Sequence, residues 1–325
     1  MSRLTIVIPT YNRPGFLHDC LESISAQTFH DFSVVVLDNA STEDYGPTLK
    51  KFETLRIEYH RNTLNIGAIR NIEKAREIGS RSIYHMIFHD DDLMHPEMLK
   101  CQIDALDRMP NLQWVATECV PFASEFIPDL GGASVREEDL AVYETPAQLV
   151  RDILANVSLN SGSVMFRSLD RTPPIRYDEF EIVADRVFLA DLAVSGPVGF
   201  IRKPLVLYRH HEGQDSHNPI FREHHALSLM KYYRDALPSP LSAEDQSLLI
   251  DHATNYLLHA RSVVHPSNRM PLHSFIEQAR REELFRWRAI DGQGIAAIAK
   301  LVGVGSGYAA IRPILGRAKR WLIRP

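Results

Sequence analysis

Three cysteines in 325 residues, Cys20, Cys101 and Cys119, are too few and too widely spaced for a disulfide framework or a thiolate metal site. They suit a reducing compartment and are expected as small buried hydrophobes. No Gly-x-Gly-x-x-Gly follows the first hydrophobic run and no Walker-type lysine motif occurs, so dinucleotide and P-loop readings lose support. Excess positive charge is missing too. The formal net charge is −5, and no nucleic-acid partner is expected. A strand-like run begins at Leu4, which leaves no room ahead of it for a secretory signal peptide, and a cytoplasmic location is expected. No run is clean enough to span a bilayer, because the apolar stretch Gly294–Ile311 is broken by Lys300. Internal repeats and heptads are absent as well.

What is present is an ordinary folded composition, 45% hydrophobic and 24% charged, with enough length for a large core. Leu4–Ile8 and Ser33–Leu37 read as buried strands, and Leu55–Tyr59 and Ser82–Phe88 as two more. Helical periodicity lies between and after them, at Pro14–Gln27, about Ile66–Ile78 and Pro96–Met109. Strand, helix, strand at this spacing predicts a parallel sheet with helical crossovers, whose ligands bind beyond the carboxyl ends of the strands. Trp114–Thr117, Gly162–Phe166 and a run ending at Leu205–Leu207 are further strand signals, and Pro121–Tyr143 reads as an irregular excursion. From about Ala226 the pattern is mostly helical. The expected division is therefore 1–220 for an α/β domain and 221–325 for a mainly helical region.

The strand ends are polar where the topology places function. Pro9-Thr10-Tyr11-Asn12-Arg13 follows the first strand, Asp38-Asn39-Ala40-Ser41 the second, and Asp90-Asp91-Asp92 the fourth. Carboxylates at a strand end can hold a divalent cation against phosphate oxygens. Asp92 could equally cap the helix that follows. In an extended segment Asp90 and Asp92 share a side and Asp91 faces away, which favours a 90/92 pair of ligands; a turn would alter this. Asp38 could accept an N–H from a base or cap the next segment, and Arg13 could pair with phosphate or with an acid. Asn65, Gly67, Arg70 and Asn71 open a helix whose free N–H groups suit an anion or sugar hydroxyls, and capping by Asn65 explains them as well.

Ile8–Arg13, Asp38–Ser41, Asn65-Ile66-Gly67, Asp90–Asp92 with Pro96, Asp185 and Leu205–Arg209 together resemble, in content and order, the inverting glycosyltransferases of family 2, which have a GT-A fold. The resemblance covers residues 3 to about 216. It implies an α/β, Rossmann-like, mainly parallel sheet flanked by helices. It places Asp38 by the nucleotide base, with Pro9, Thr10, Tyr11 and Arg13 beside base and ribose, and Asn65, Gly67 and Arg70 on the donor. Asp90 would face ribose or metal, and Asp91 or Asp92 would hold Mn²⁺ or Mg²⁺ against the diphosphate of a nucleoside-diphosphate sugar. His89 stands where the commoner pattern has another acid, and is expected as a packed or supporting imidazole. Asp185 corresponds to the catalytic base, with Ala184 replacing the usual Glu before it. Arg209 would offset charge on the leaving group and His211 would complete the metal shell.

The function so implied is inverting transfer of a sugar to a hydroxyl acceptor, a glycan or glycolipid, in surface polysaccharide or glycoconjugate assembly. Nucleotidyl transfer to a sugar phosphate needs a basic, glycine-rich loop that Pro9–Gly15 scarcely offers, and a non-catalytic nucleotide-sugar binder is the other competitor. The basic tail Arg312–Pro325 suits contact with the anionic inner face of a membrane, or simply a solvated edge. A homodimer through the C-terminal helices remains open.

Overall fold

The computed structural model describes residues 2–123, 127–132, 135–155, 157–168, 173–211, 223–264 and 268–302. They fall into two compact units, one built from 1–145, 157–174 and 188–211, the other from 146–156, 175–187 and 212–325. Two segments from the first part of the chain thus group with the C-terminal helices. The cut expected at residue 220 falls outside the described residues.

The first unit is a mixed nine-stranded sheet. Its strands are β1 (Leu4–Thr10), β2 (Phe32–Asp38), β3 (Ile57–Arg61), β4 (Tyr84–Ile87), β5 (Leu93–Met94), β6 (Trp114–Phe122), β7 (Leu140–Tyr143), β8 (Met165–Arg167) and β9 (Val198–Arg209). They lie in the order β3-β2-β1-β4-β8-β6-β9-β5, with β7 also on β9. β3, β2, β1 and β4 run parallel, as do β6 and β9, while β8, β5 and β7 are antiparallel to their neighbours. The β-branched runs of β1 and β2 are buried on both faces, as a helix-covered parallel sheet requires. Helix α1 (Pro14–Ser25) starts with proline, whose missing N–H costs nothing there, and buries Leu17, Cys20, Leu21 and Ile24 as one stripe. The short α2 (Gly46–Lys50) and then α3 (Ala68–Gly79) and α4 (Met98–Arg108) complete the crossovers.

Chain order moves outward from β1 to β3 and then returns to β4 on the other side of β1. That reversal opens a crevice between the carboxyl ends of β1 and β4, where Thr10 and the Asp run lie. The far side is shaped by β9. Its register against β6 shifts around Glu118, which faces Pro204, a residue unable to donate to the ladder. Past this irregularity β9 pairs with β5, Leu207 opposite Leu93, and so delivers Arg209 beside the Asp run.

The second unit is helical. It contains α5 (Pro146–Ala155), α6 (Tyr177–Phe180), the start of α7 (Ala184–Leu192), α8 (Glu223–Asp235), α9 (Ala243–Val263), α10 (Leu272–Arg281) and α11 (Gly292–Val302). Helix α9 packs against α5, α8 and α11. It begins at Ser242, whose hydroxyl accepts from Asp245 N at 3.0 Å, and Asp245 in turn holds Arg151 of α5 through two oxygens. Among the described residues no helix is long and apolar enough to cross a membrane. The basic tail expected at a membrane surface, Arg312–Pro325, lies outside them.

Candidate active site

β4 stops at Ile87, and residues 89–92 turn, with Asp92 N donating to His89 O at 3.4 Å. The alternation expected of an extended segment therefore does not hold, and with it goes the argument that favoured a 90/92 pair. The ligand atoms brought together, within 4.8 Å of one another, belong to His89, Asp91 and Asp92. Asp90 instead takes the Thr10 hydroxyl at 2.6 Å, across the crevice between β1 and β4. Asp92 does not cap α4 either, since that helix begins at Met98 with Glu97 as its N-cap. Its Oδ1 accepts from Arg209 N at 3.0 Å. Its Oδ2 lies 3.4 Å from His89 Nδ1 without hydrogen-bond geometry, and is buried with no hydrogen-bond partner.

Buried without a hydrogen bond, this oxygen has the His89 imidazole at 3.4 Å as its charged neighbour, and a bound cation would satisfy it in place of the imidazole's proton. The oxygens of Asp91 and Asp92 beside the His89 imidazole form a donor set that fits Mn²⁺ or Mg²⁺, with nitrogen favouring manganese of the two. His211 arrives from the other side, Nε2 2.9 Å from Asp91 Oδ2, its ring against Phe16 at 4.7 Å. Gly162 backs His89 closely, so that a Cβ added there would lie 3.2 Å from its Nδ1.

Charge is concentrated here. Burial, helped by the Asp91 charge, pushes the Asp90 carboxyl up to about 7 against the opposing Thr10 bond and Arg13. Burial likewise raises Asp92. At His89 burial alone would lower the imidazole, yet Asp92 and the charges of Asp91 and Asp90 outweigh it and raise it to about 9. Cys20, buried beneath the same carboxylates, is held well above the ordinary thiol range by burial and is inert.

Arg13 and Arg209 offset this charge. Arg13 Nη1 lies 3.1 Å from Asp91 and 3.5 Å from Asp90. Arg209 is sandwiched between the Phe16 and Phe122 rings, donates from Nε to Asp91 O at 2.8 Å, and meets Asp19 at 3.0 Å. It thus holds the Asp turn in place from behind.

The neighbouring loops are tied before any ligand arrives. Tyr45 was not singled out by the sequence reading, yet its buried hydroxyl meets Thr10 Oγ1 at 2.8 Å and Arg13 N at 3.0 Å. Asn12, at φ 54°, accepts from Thr42 N at 2.7 Å. Asp38 is fully buried; Oδ1 accepts from Ser41 N and Oδ2 from the Tyr59 hydroxyl at 2.6 Å. It makes the local turn bond that was its alternative role. Pro9 stands in β1 opposite Leu37, and Tyr11 is exposed. Asn65 accepts from Gly67 N at 2.9 Å, and Gly67, at φ +83°, caps α3 with open space around it. Arg70 is exposed on the first turn of α3. A chain of amides, Asn39 to Asn65, Asn62 to Asn39 and Asn62 to Asn71, fixes this loop against the end of β2. Tyr45 and Asn62, single polar residues in loops, carried no periodic signal by which to find them.

Asp185 belongs to the other unit. It lies half-buried in the first turn of α7, with Oδ1 2.8 Å from Arg186 N.

Residues 5–126 match the family model described as Glycosyl transferase family 2. An uncharacterized glycosyltransferase of Haemophilus influenzae is 27% identical over 115 residues, 34% of this chain and 37% of its own. The abequosyltransferase RfbV of Salmonella typhimurium is 31% identical over 114 residues, 34% of each chain. The match thus spans about a third of these relatives. Among solved structures, S. aureus TarS 1-349 in complex with UDP-GlcNAc is 16% identical, with a TM-score of 0.56, over 98% of this chain and 87% of that one. That likeness is one of fold. Residues 5–126 are a family 2 glycosyltransferase domain, and the architecture that carries them is of GT-A type.

Proposed function

We propose that the protein is a metal-dependent inverting glycosyltransferase that moves a sugar from a nucleoside-diphosphate donor to a hydroxyl acceptor. The observation that carries this is the buried Asp92 Oδ2 without a hydrogen bond, at the crevice where β1 and β4 diverge. Mn²⁺ or Mg²⁺ held by Asp91 and Asp92, with His89 and His211 at hand, would neutralise the donor diphosphate as negative charge grows on it. Arg13 adds positive charge from the β1 loop, and Arg209 keeps the carboxylates aimed. Asp90, positioned by Thr10, accepts from a ribose hydroxyl. The exposed Tyr11 and the loop Pro9–Arg13 border the base together with Asp38, while Asn65, Gly67 and Arg70 border the donor further along.

Asp185 takes the proton of the acceptor hydroxyl as its oxygen attacks the anomeric carbon. The bond from that carbon to the diphosphate oxygen breaks in the same displacement, so the configuration inverts and nucleoside diphosphate leaves. TarS was solved with UDP-GlcNAc, and RfbV is named an abequosyltransferase, which supports sugar transfer from a nucleotide-sugar donor; assembly of a surface polysaccharide or glycoconjugate is the setting we propose for it. The location that fits is cytoplasmic, with a glycan or glycolipid acceptor.

Thermal unfolding with a panel of nucleoside diphosphates and nucleotide sugars, with and without Mn²⁺ or Mg²⁺, tests the reading. A stabilising shift for one nucleotide should require the cation and vanish in Asp92→Asn. Equal shifts without cation would refute the metal, and no shift across the panel would refute the donor.

A further inference from the structure

A second group of ligating side chains lies in the helical unit, away from the Asp run in sequence and in compact unit. Glu181 ends α6 and opens the 3-10 turn Glu181–Val183 that leads into α7; its backbone sits at φ 48°, unusual for a residue with a side chain. His224 and His225 stand in the first turn of α8. His225 Nε2 is 2.8 Å from Glu181 Oε2, and His224 Nε2 is 3.6 Å from Glu181 Oε1. All three ligand atoms fall within 4.8 Å of one another. Tetrahedral zinc at ~2.0–2.1 Å from nitrogen and oxygen spaces its ligand atoms about 3.3 Å apart, between the two distances found.

The histidine pair is held in place independently of Glu181. Glu223, adjacent and almost wholly buried, receives Arg261 of α9 and the backbone N–H of Met270 at 2.9 Å. His225 is 1% exposed in its side chain, whereas His224 at 48% and Glu181 at 52% leave one side open to solvent for a water ligand. Two imidazoles and one carboxylate select zinc or its neighbours cobalt and nickel, and not the hard cations that suit an oxygen set.

We propose that Glu181, His224 and His225 form a zinc-type site that ties the start of α8 to the turn preceding α7. Because Asp185 follows in the first turn of α7, an ion there restrains the approach to that residue. The site does not depend on the glycosyl-transfer reading, and its test needs no substrate.

The full-length chain is saturated with zinc in excess Mg²⁺, dialysed, and assayed for bound zinc by atomic absorption. His224→Ala, at a half-exposed position, and the near-isosteric Glu181→Gln should each hold one ion fewer than the wild type while keeping its melting temperature in chelator. Asp92→Asn serves as the control and should keep this ion. A zinc count equal to wild type in either variant, or a loss of this ion in Asp92→Asn instead, would overturn the proposal.

Discussion

Asp90→Asn should stabilise the metal-free protein at alkaline pH. A carboxyl held at about 7 against an ordinary 3.8 is disfavoured in its charged form by about 4 kcal/mol. The unfolded chain releases this proton near pH 4, whereas the folded chain keeps it until about pH 7, so stability falls across that window and levels off above it. Asparagine carries no such charge, and its amide oxygen can still accept the Thr10 hydroxyl that now lies 2.6 Å from Asp90. The attraction of Arg13 and of the His89 imidazolium is already contained in that value of about 7, and the buried amide NH₂ that asparagine brings without an assured acceptor reduces the net gain to roughly 1–3 kcal/mol at pH 8. Urea unfolding of both proteins in chelator, at pH 4 and pH 8, measures it. The difference should nearly vanish at the lower pH. An asparagine variant destabilised by the same amount at both values would show that Asp90 is retained for its contacts and that its charge carries no folding penalty.

Asp185→Asn should lower turnover by roughly 10²–10⁴ while leaving the cation-dependent nucleotide shift intact, as seen by steady-state assay beside thermal unfolding. Gly162→Ala would drive a methyl to within 3.2 Å of His89 Nδ1 and 3.1 Å of Asn160 Oδ1, so a loss of about 1–3 kcal/mol and weaker Mn²⁺ binding by calorimetry are expected. Arg209→Met removes a buried guanidinium from two aromatic faces and from Asp19, which is itself partly solvated; a loss of about 2–4 kcal/mol by urea unfolding follows. Gly67→Ala meets no steric obstacle, so only the strain of φ +83° remains, about 1 kcal/mol.

Strands β1 and β2 were legible because unbroken runs of valine, isoleucine and leucine have few other uses at that length, and the polar residues after them marked the rim. The two-residue β5 and the four-residue β7 were not, since neither is long enough to show a period, and each exists through its pairing with β9. The acidic run was found, but the turn it makes was not. Alternation applies to extended chain, and the turn at 89–92 is set by tertiary contacts from Cys20, Gly162 and Arg209 that lie 69 to 117 residues away. The same reason hid Tyr45 and Asp19, whose roles come wholly from partners distant in sequence. Segments 146–156 and 175–187 grouped with the later helices for a similar cause, through pairs such as Arg151 with Asp245 and Glu181 with His225.

The amide chain through Asn39, Asn62, Asn65 and Asn71 has a consequence for how the rim responds to its surroundings. Amides do not change charge between acid and alkali, so this half of the rim keeps its shape while the half built on Asp90 and His89 gains and loses protons. Protonation of Asp90 below about pH 7 therefore discharges the β1–β4 side of the crevice without loosening the loop that the amides tie. Such a division would let the proposed transferase recover that charge on neutralisation with no rearrangement of the loop between.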